Sequence, residues 1–204
     1  MARLSPIGTG KQARKRRPRL RVDAASGLLR GATQLASPNC DARPPGVVPE
    51  LIVVHGISLP PGEFGGPWID RLFCNTLDPA AHPAFGELEG LRVSSHLLIR
   101  RDGEVIQYVP LDCRAWHAGR SRFAGRDNCN DFSVGIELEG TDELPYATAQ
   151  YQRLCATIKA LRRGVPSLAR APVVGHCDIA PGRKTDPGPA FDWPRLERLL
   201  ARRR

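Results

Sequence analysis

Nothing in the 204 residues approaches the roughly 20 consecutive apolar positions that a membrane-spanning helix needs, so no membrane span is expected. The six cysteines (Cys40, Cys74, Cys113, Cys129, Cys155 and Cys177) include no C-x-x-C pair, which excludes a zinc knuckle and a thioredoxin-like redox motif. The charged N-terminal stretch "KRRPRLRVDAASGLLRGATQL" is not followed by the apolar run of about 7–15 residues that a secretory leader requires. Without an export signal the thiols are expected to stay reduced, and a cytoplasmic location is the expectation. There is no internal repeat. Lysine is scarce, four against 26 arginines, so Lys184 stands out among the cations of the chain.

What is abundant is charge of one sign, at the ends. The net charge is +9. Residues 1–22 hold eight basic side chains and no acid, so removing those eight leaves +1 for residues 23–204, and the last three residues are all arginine. The basicity belongs to tails and not to the body. A solvated, disordered arm over 1–22 is therefore expected, followed by one domain over 23–204. Contact of the arm with polyanions through phosphate attraction is the alternative, but the body carries no helix with a basic face and no reading motif, so no specific nucleic-acid partner is expected. A monomer is the expectation.

The remaining chain reads as strands and helices. "ELIVVHGIS" (50–58) is apolar and β-branched, as in a buried strand, and Pro60-Pro61-Gly62 ends it. Residues 63–92 read as loops with a helical piece around "PWIDRLF". Two strand-like runs flank Asp102-Gly103, a dipeptide suited to a tight hairpin. "FSVGIELEG" (132–140) is another strand, with Ile136 and Leu138 on one face and Glu137 and Glu139 on the other. Of these two, Glu139 fits a solvated position better. Ala147, Tyr151, Leu154, Ile158 and Leu161 make one apolar helical stripe, which Gly164 and Pro166 end. "APVVGH" (171–176) is a short strand, and "DWPRLERLLARR" (192–203) is a terminal helix with Pro194 in its first turn. Residues 1–45 show no sustained periodicity, end in Pro44-Pro45, and read as a flexible arm followed by a docking segment. The order predicts one α+β domain, a mixed central β-sheet flanked by helices.

Five histidines occur, at 55, 82, 96, 117 and 176. His55 and His176 lie at strand exits beside Gly56 and Gly175, where an imidazole can face a cleft while the backbone turns away. Asp186 follows ten residues after His176 on a Pro/Gly-rich loop. Two imidazoles and a carboxylate are a common protein ligand set for catalytic zinc, which keeps a fourth position for water. Strand-end histidines also commonly serve structure, so spacing alone leaves both readings open. Cys177, beside His176, suits a small buried filler.

Five segments change the weighing. "LIVVHGISLPPGEFGGPWID", "VSSHLLIRRDGEVIQYVP", "RAWHAG", "CNDFSVGIELEGTD" and "GHCDIAPGRKTDPGPAFDW" together resemble the AmpD-type zinc amidases, a group related to phage-lysozyme amidases and peptidoglycan-recognition proteins. The resemblance runs in order over about residues 37–195. It implies His55, His176 and Asp186 as ligands of a Zn2+ ion, Glu137 as the catalytic acid–base residue and Lys184 as the catalytic lysine. It implies an anhydro-muropeptide substrate, cut at the amide between the lactyl group of anhydro-N-acetylmuramic acid and L-alanine during recycling of the wall. His96 and His117 match histidine positions of the family outside the metal set, and with Trp116 and Arg92 they are the candidate substrate contacts. The family usually carries Asn after its first histidine; here Gly56 stands there, which removes a possible substrate-binding amide. A non-cutting binding module of the same fold would lack one of the five chemical positions, and all five are filled.

Overall fold

A computed structural model describes residues 17–202. Six strands form the main sheet: β1 (Thr33–Gln34), β2 (Leu51–Ile57), β3 (Leu97–Ile99), β4 (Val105–Gln107), β5 (Ser133–Glu139) and β6 (Val173–Gly175). Their spatial order is β6-β2-β5-β3-β4-β1. The pairs β6–β2, β2–β5, β5–β3 and β4–β1 are parallel, and only β3–β4 is antiparallel. The antiparallel pair is the hairpin expected at Asp102-Gly103. Gly103 takes φ +87°, which an L side chain rarely adopts, and the Asp102 carboxylate accepts from the Glu104 amide at 2.8 Å.

The helices are α1 (Trp68–Phe73), α2 (Thr148–Gly164), the single turn α3 (His176–Ile179) and α4 (Trp193–Ala201). Period 2 in the strands divides the sheet into two faces. Ile52 and Val54 of β2, Val134, Ile136 and Leu138 of β5, and Leu97 and Ile99 of β3 pack against Tyr151, Leu154, Ile158 and Leu161 of α2. This is the predicted helical stripe meeting the predicted apolar strand faces. On the other side, Leu98 and Ile106 join Ile69, Leu72 and Phe73 of α1, while Leu51 and Val53 join Phe132 and Ile179. His55 and Glu137 lie on this second face, one step along from Val53 and Gly135, and they are direct partners in the β2–β5 register.

Three expectations are corrected. First, the arm assigned to residues 1–22 does not hold over its last six residues. Residues 1–16 lie outside the described residues, but Arg17–Val22 are docked: Leu20 and Val22 are buried, Arg17 pairs with Asp102 at 2.6 Å, and Arg21–Asp23 pairs with Leu28–Arg30 as a hairpin. A short alternation of Leu20 and Val22 among arginines was masked by the charge run. It also explains Gly164. A Cβ there would lie 2.5 Å from the Val22 Cβ, so the glycine admits the hairpin as well as ending the helix. Second, residues 17–45 contain short strands, the last being Cys40–Ala42 against Cys113–Ala115, too brief to show a period. Third, Glu139 is not solvated. It is 1% exposed, and its carboxylate accepts from Arg100 at 3.0 Å and from the amides of Gly65 and Arg101 at 2.7 and 3.0 Å. β5 is the inner strand, with all seven residues buried, so neither face reaches water.

Candidate metal centre and active site

Three chain segments converge on one point. β2 supplies His55, whose side chain is set by the strand's alternation. β6 delivers His176 as the first residue of α3, directly after Gly175. The loop after α3 then folds back and supplies Asp186. Main-chain bonds hold that loop: Lys184 N–H donates to Ala180 O, Cys177 N–H to Asp186 O and Gly188 N–H to Thr185 O, each at 3.0 Å. Asp178 braces its start, its carboxylate accepting from Gly175 N–H at 2.7 Å. Cys177 is half-buried and contributes its backbone amide to this loop.

The geometry suits a metal ion. His55 Nδ1 lies 3.3 Å from Asp186 Oδ2, and His176 Nδ1 lies 3.1 Å from Asp186 Oδ1. One ligand atom from each of His55, His176 and Asp186 lies within 4.8 Å of the others. Tetrahedral zinc with N and O ligands at about 2.0–2.2 Å keeps its donors about 3.3–3.5 Å apart. The protonation pattern points the same way. His176 Nε2 faces the Ala118 carbonyl at 3.2 Å, and a carbonyl can only accept. That contact calls for a proton on Nε2 and leaves Nδ1 as the nitrogen turned toward the Asp186 carboxylate. Lone pairs facing one another in a buried site repel unless a cation stands between them. The residues present thus fit a divalent ion of the zinc type.

Glu137 stands beside this set, with Oε1 4.0 Å from His55 Nδ1. It is 7% exposed, and its Oε2 is buried with no hydrogen-bond partner. Burial pushes the Glu137 carboxyl well above the usual range; the Asp186 charge pushes it further, and the Lys184 ammonium pulls it back. Lys184 itself is exposed, with its charge felt by both Glu137 and His55. Burial lowers His55 to about 4 and His96 to about 3, and holds His117 well below the ordinary imidazole value. All three rings are neutral at neutral pH.

A stability prediction follows from Glu137. Its folded-state pKa is raised above the ordinary carboxyl range, chiefly by burial, so the proton it holds favours the folded state at low pH. That contribution is lost as pH rises through the folded value. In metal-free protein, Glu137→Gln is expected to raise the melting temperature at pH 7–8 relative to the parent, with the difference shrinking toward pH 4.5. Thermal melts of both proteins across that window check it; equal melting temperatures at pH 8 would contradict it.

The other sequence candidates fare differently. His96 is fully buried, its Nδ1 accepting from Gly135 N–H at 3.0 Å and its Nε2 3.1 Å from Cys113 O. Both ring nitrogens have protein partners, so His96 braces the fold. His117 stands behind His55, with Nδ1 2.9 Å from His55 Nε2, and also touches protein on both sides. Trp116 is half-buried, with Nε1–H directed at Asp41 Oδ1 at 3.3 Å, and keeps part of its ring open. Arg92 is exposed and opens on a small cavity of about 110 Å³ with Leu72, Asn75 and Leu88, a lining that includes none of the metal-directed groups. The pleat sets the direction of position 56. Position 56 pairs with Leu138 and faces the α2 side of the sheet, opposite to His55. A Cβ there would lie 2.4 Å from Tyr146 Oη, the hydroxyl that donates to Pro187 O at 3.0 Å and steadies the loop beside Asp186. A side chain at 56 would point away from the metal-directed groups.

Sequence reasoning missed Tyr146, Asn130 and Ser133. Asn130 Oδ1 accepts from the amides of His117 and Ala118 at 3.1 and 2.8 Å, and so fixes both the His117 backbone and the carbonyl that orients His176. No periodicity or spacing marks these residues. Each acts across 12 or more residues of chain.

Comparisons with known proteins agree with this geometry. Residues 45–189 match the Amidase_2 family, N-acetylmuramoyl-L-alanine amidase. The 1,6-anhydro-N-acetylmuramyl-L-alanine amidase AmpD of Escherichia coli (strain K12) is 62% identical over 176 residues, 86% of this chain and 96% of that protein. A crystal structure of a Se-Met AmpD derivative superposes with a TM-score of 0.83 at 59% identity, covering 88% of this chain and 98% of the other. The E. coli amidase AmiD, in complex with its substrate anhydro-N-acetylmuramic acid-L-Ala-D-gamma-Glu-L-Lys, superposes with a TM-score of 0.53 at 28% identity, over 77% of this chain and 60% of that one. A mixed six-stranded sheet that gathers two histidines and an aspartate, with a family match spanning most of the chain, places this protein in the N-acetylmuramoyl-L-alanine amidase family, Amidase_2.

Proposed function

We propose that this chain is a zinc-dependent amidase that hydrolyses the bond between anhydro-N-acetylmuramic acid and L-alanine in muropeptides, in the recycling of peptidoglycan within the cytoplasm. The anhydromuramoyl-L-alanine amidase activity rests on the 62% identity to the E. coli enzyme over most of both chains. The single observation that carries the metal dependence is the convergence of His55 Nδ1, His176 Nδ1 and the Asp186 carboxylate on one buried point. A cytoplasmic site is supported by the absence of disulfides among the six cysteines. No helix among the described residues is long and apolar enough to cross a membrane.

His55, His176 and Asp186 would hold the ion. When bound, zinc acidifies a water toward neutrality and polarises the scissile carbonyl. The chain's own groups supply the rest. Glu137 carries an unpartnered carboxylate oxygen into the site. It would accept a proton from the attacking water and return it to the departing L-alanine amine, so that no free amide anion leaves. Its raised pKa suits a group that must both take and give a proton. Lys184 presents a fixed positive charge to the same site, where it would stabilise the oxyanion of the tetrahedral intermediate. Trp116 offers a part-exposed aromatic surface for the sugar or peptide.

The test is hydrolysis of an anhydromuramoyl-tripeptide, followed by mass analysis of the products, before and after exhaustive chelation. The expected products are anhydromuramic acid and free tripeptide. Activity should vanish on chelation and return with zinc. Undiminished cleavage by metal-free protein would overturn the reading.

A further inference from the structure

We propose that His117 is a positioning residue that fixes the tautomer of His55, and so aims its Nδ1 lone pair at the metal site, through a hydrogen-bonded chain that ends on the Cys129 carbonyl. The inference rests on the metal reading above for its purpose, but its geometry is independent of it.

The chain is read from its fixed end. The Cys129 carbonyl can only accept. Ser133 Oγ lies 2.6 Å from it and donates its one proton there. The Ser133 oxygen is then left with lone pairs, and His117 Nε2, 3.1 Å away, must be the donor. A neutral His117 with its proton on Nε2 has a bare Nδ1. That atom lies 2.9 Å from His55 Nε2 and accepts from it. His55 therefore carries its proton on Nε2, and its Nδ1 is the bare nitrogen facing Asp186 at 3.3 Å. A single carbonyl settles three protons in sequence. Cys129 and Ser133 are fully buried, His55 is 1% and His117 9% exposed, so bulk water does not compete for these bonds.

The seat of the His117 ring is built for it. Its backbone is pinned by Asn130 Oδ1. Its ring lies over Gly135 of β5, where an added Cβ would stand 2.6 Å from the ring Cγ and 2.7 Å from Nδ1. Gly135 does not take positive φ, so space for the ring is what demands glycine at this point of the inner strand. His176 has its tautomer set by a backbone carbonyl, Ala118 O. His55 lies inside a strand with its Nε2 on His117, and the His117–Ser133 pair carries the Cys129 carbonyl's effect to it. Groups of this kind behind a metal-binding histidine typically change metal affinity about 10–100-fold when removed.

The experiment uses the full chain with zinc as the probe and two readouts: zinc affinity by competition with a chromophoric chelator, and the His55 ring tautomer by 15N NMR of the zinc-free protein near neutral pH. The parent protein is expected to show His55 protonated on Nε2. His117→Phe keeps bulk but removes the acceptor; zinc binding should weaken about 10–100-fold, and the His55 proton should shift toward Nδ1, facing Asp186. His117→Asn, whose amide oxygen can stand near the lost Nδ1, should recover affinity to within about threefold of the parent and restore the tautomer. A His117→Phe protein with parental affinity, or a parent with His55 protonated on Nδ1, overturns the proposal. Should His117→Phe fail to fold, Ser133→Ala carries the same test, because it deletes one oxygen and breaks the chain at its anchor; an unchanged tautomer and affinity there overturn it equally. A parent that binds no zinc would refute the metal reading alone, since the tautomer is read without metal.

Discussion

Asp186→Ala is expected to abolish bound zinc and, with it, hydrolysis, while the protein stays folded. Asp186 contributes the one charged donor of the proposed set. Removing it leaves two neutral imidazoles in a buried site, too few to hold a divalent ion at cellular concentrations. The fold should survive because the loop is fixed by main-chain bonds that an alanine keeps, above all Cys177 N–H to Asp186 O. The change also removes the charge that raises the Glu137 carboxyl, so the metal-free variant sheds a repulsive contact. Elemental analysis after gel filtration should find zinc below about a tenth of the parental content, with turnover down by at least about 10³-fold and far-UV circular dichroism unchanged. Retention of a full equivalent of zinc would remove Asp186 from the ligand set.

Replacement of Lys184 or Glu137 is expected to give the opposite pattern: zinc retained and turnover lost. Lys184 is exposed and tied to the loop through its backbone amide, so Lys184→Met should leave fold and metal in place. A donor aimed at a developing oxyanion contributes about 2.7–4 kcal/mol in other hydrolases. Kcat should therefore fall about 10²–10³-fold with little change in KM, since the charge acts on the transition state more than on the neutral substrate. For Glu137→Gln the amide keeps the shape and removes the base, and a loss of about 10²–10⁴-fold in kcat is expected. Steady-state kinetics with metal content measured on the same samples separates the cases. A Lys184→Met enzyme at full rate would strip that residue of its proposed role, and one that lost zinc would move it to the metal.

Much of the architecture was legible in local patterns. The stripe of Tyr151, Leu154, Ile158 and Leu161 specified α2, the Asp102-Gly103 turn specified the β3–β4 hairpin, and the alternation in "FSVGIELEG" put Ile136 and Leu138 opposite Glu137 and Glu139. Burial was not legible in the same way. Glu139 read as a surface residue because an alternating strand implies one wet face, yet β5 lies inside a sheet covered on both sides, and Arg100, just past the end of β3, arrives to neutralise it. The charge run over 1–22 likewise hid Leu20 and Val22, since two apolar residues among arginines make no period.

By itself, then, the sequence determined the chemical inventory: the two histidines, the aspartate, the glutamate and the lysine, each in a motif whose strand, turn or loop character is set by neighbours a few residues away. Only the tertiary structure decided how those groups stand to one another. Parallel pairing in register puts Glu137 opposite His55, β6 beside β2 brings His176 in, and the returning loop closes the set with Asp186. It also decided that His117 and Ser133 stand behind the metal-directed ring while His96 is spent on the fold, and that position 56 points away from the site. Hydrogen-bond partners separated by tens of residues depend on sheet order and side-chain packing, and no local period in the chain encodes either.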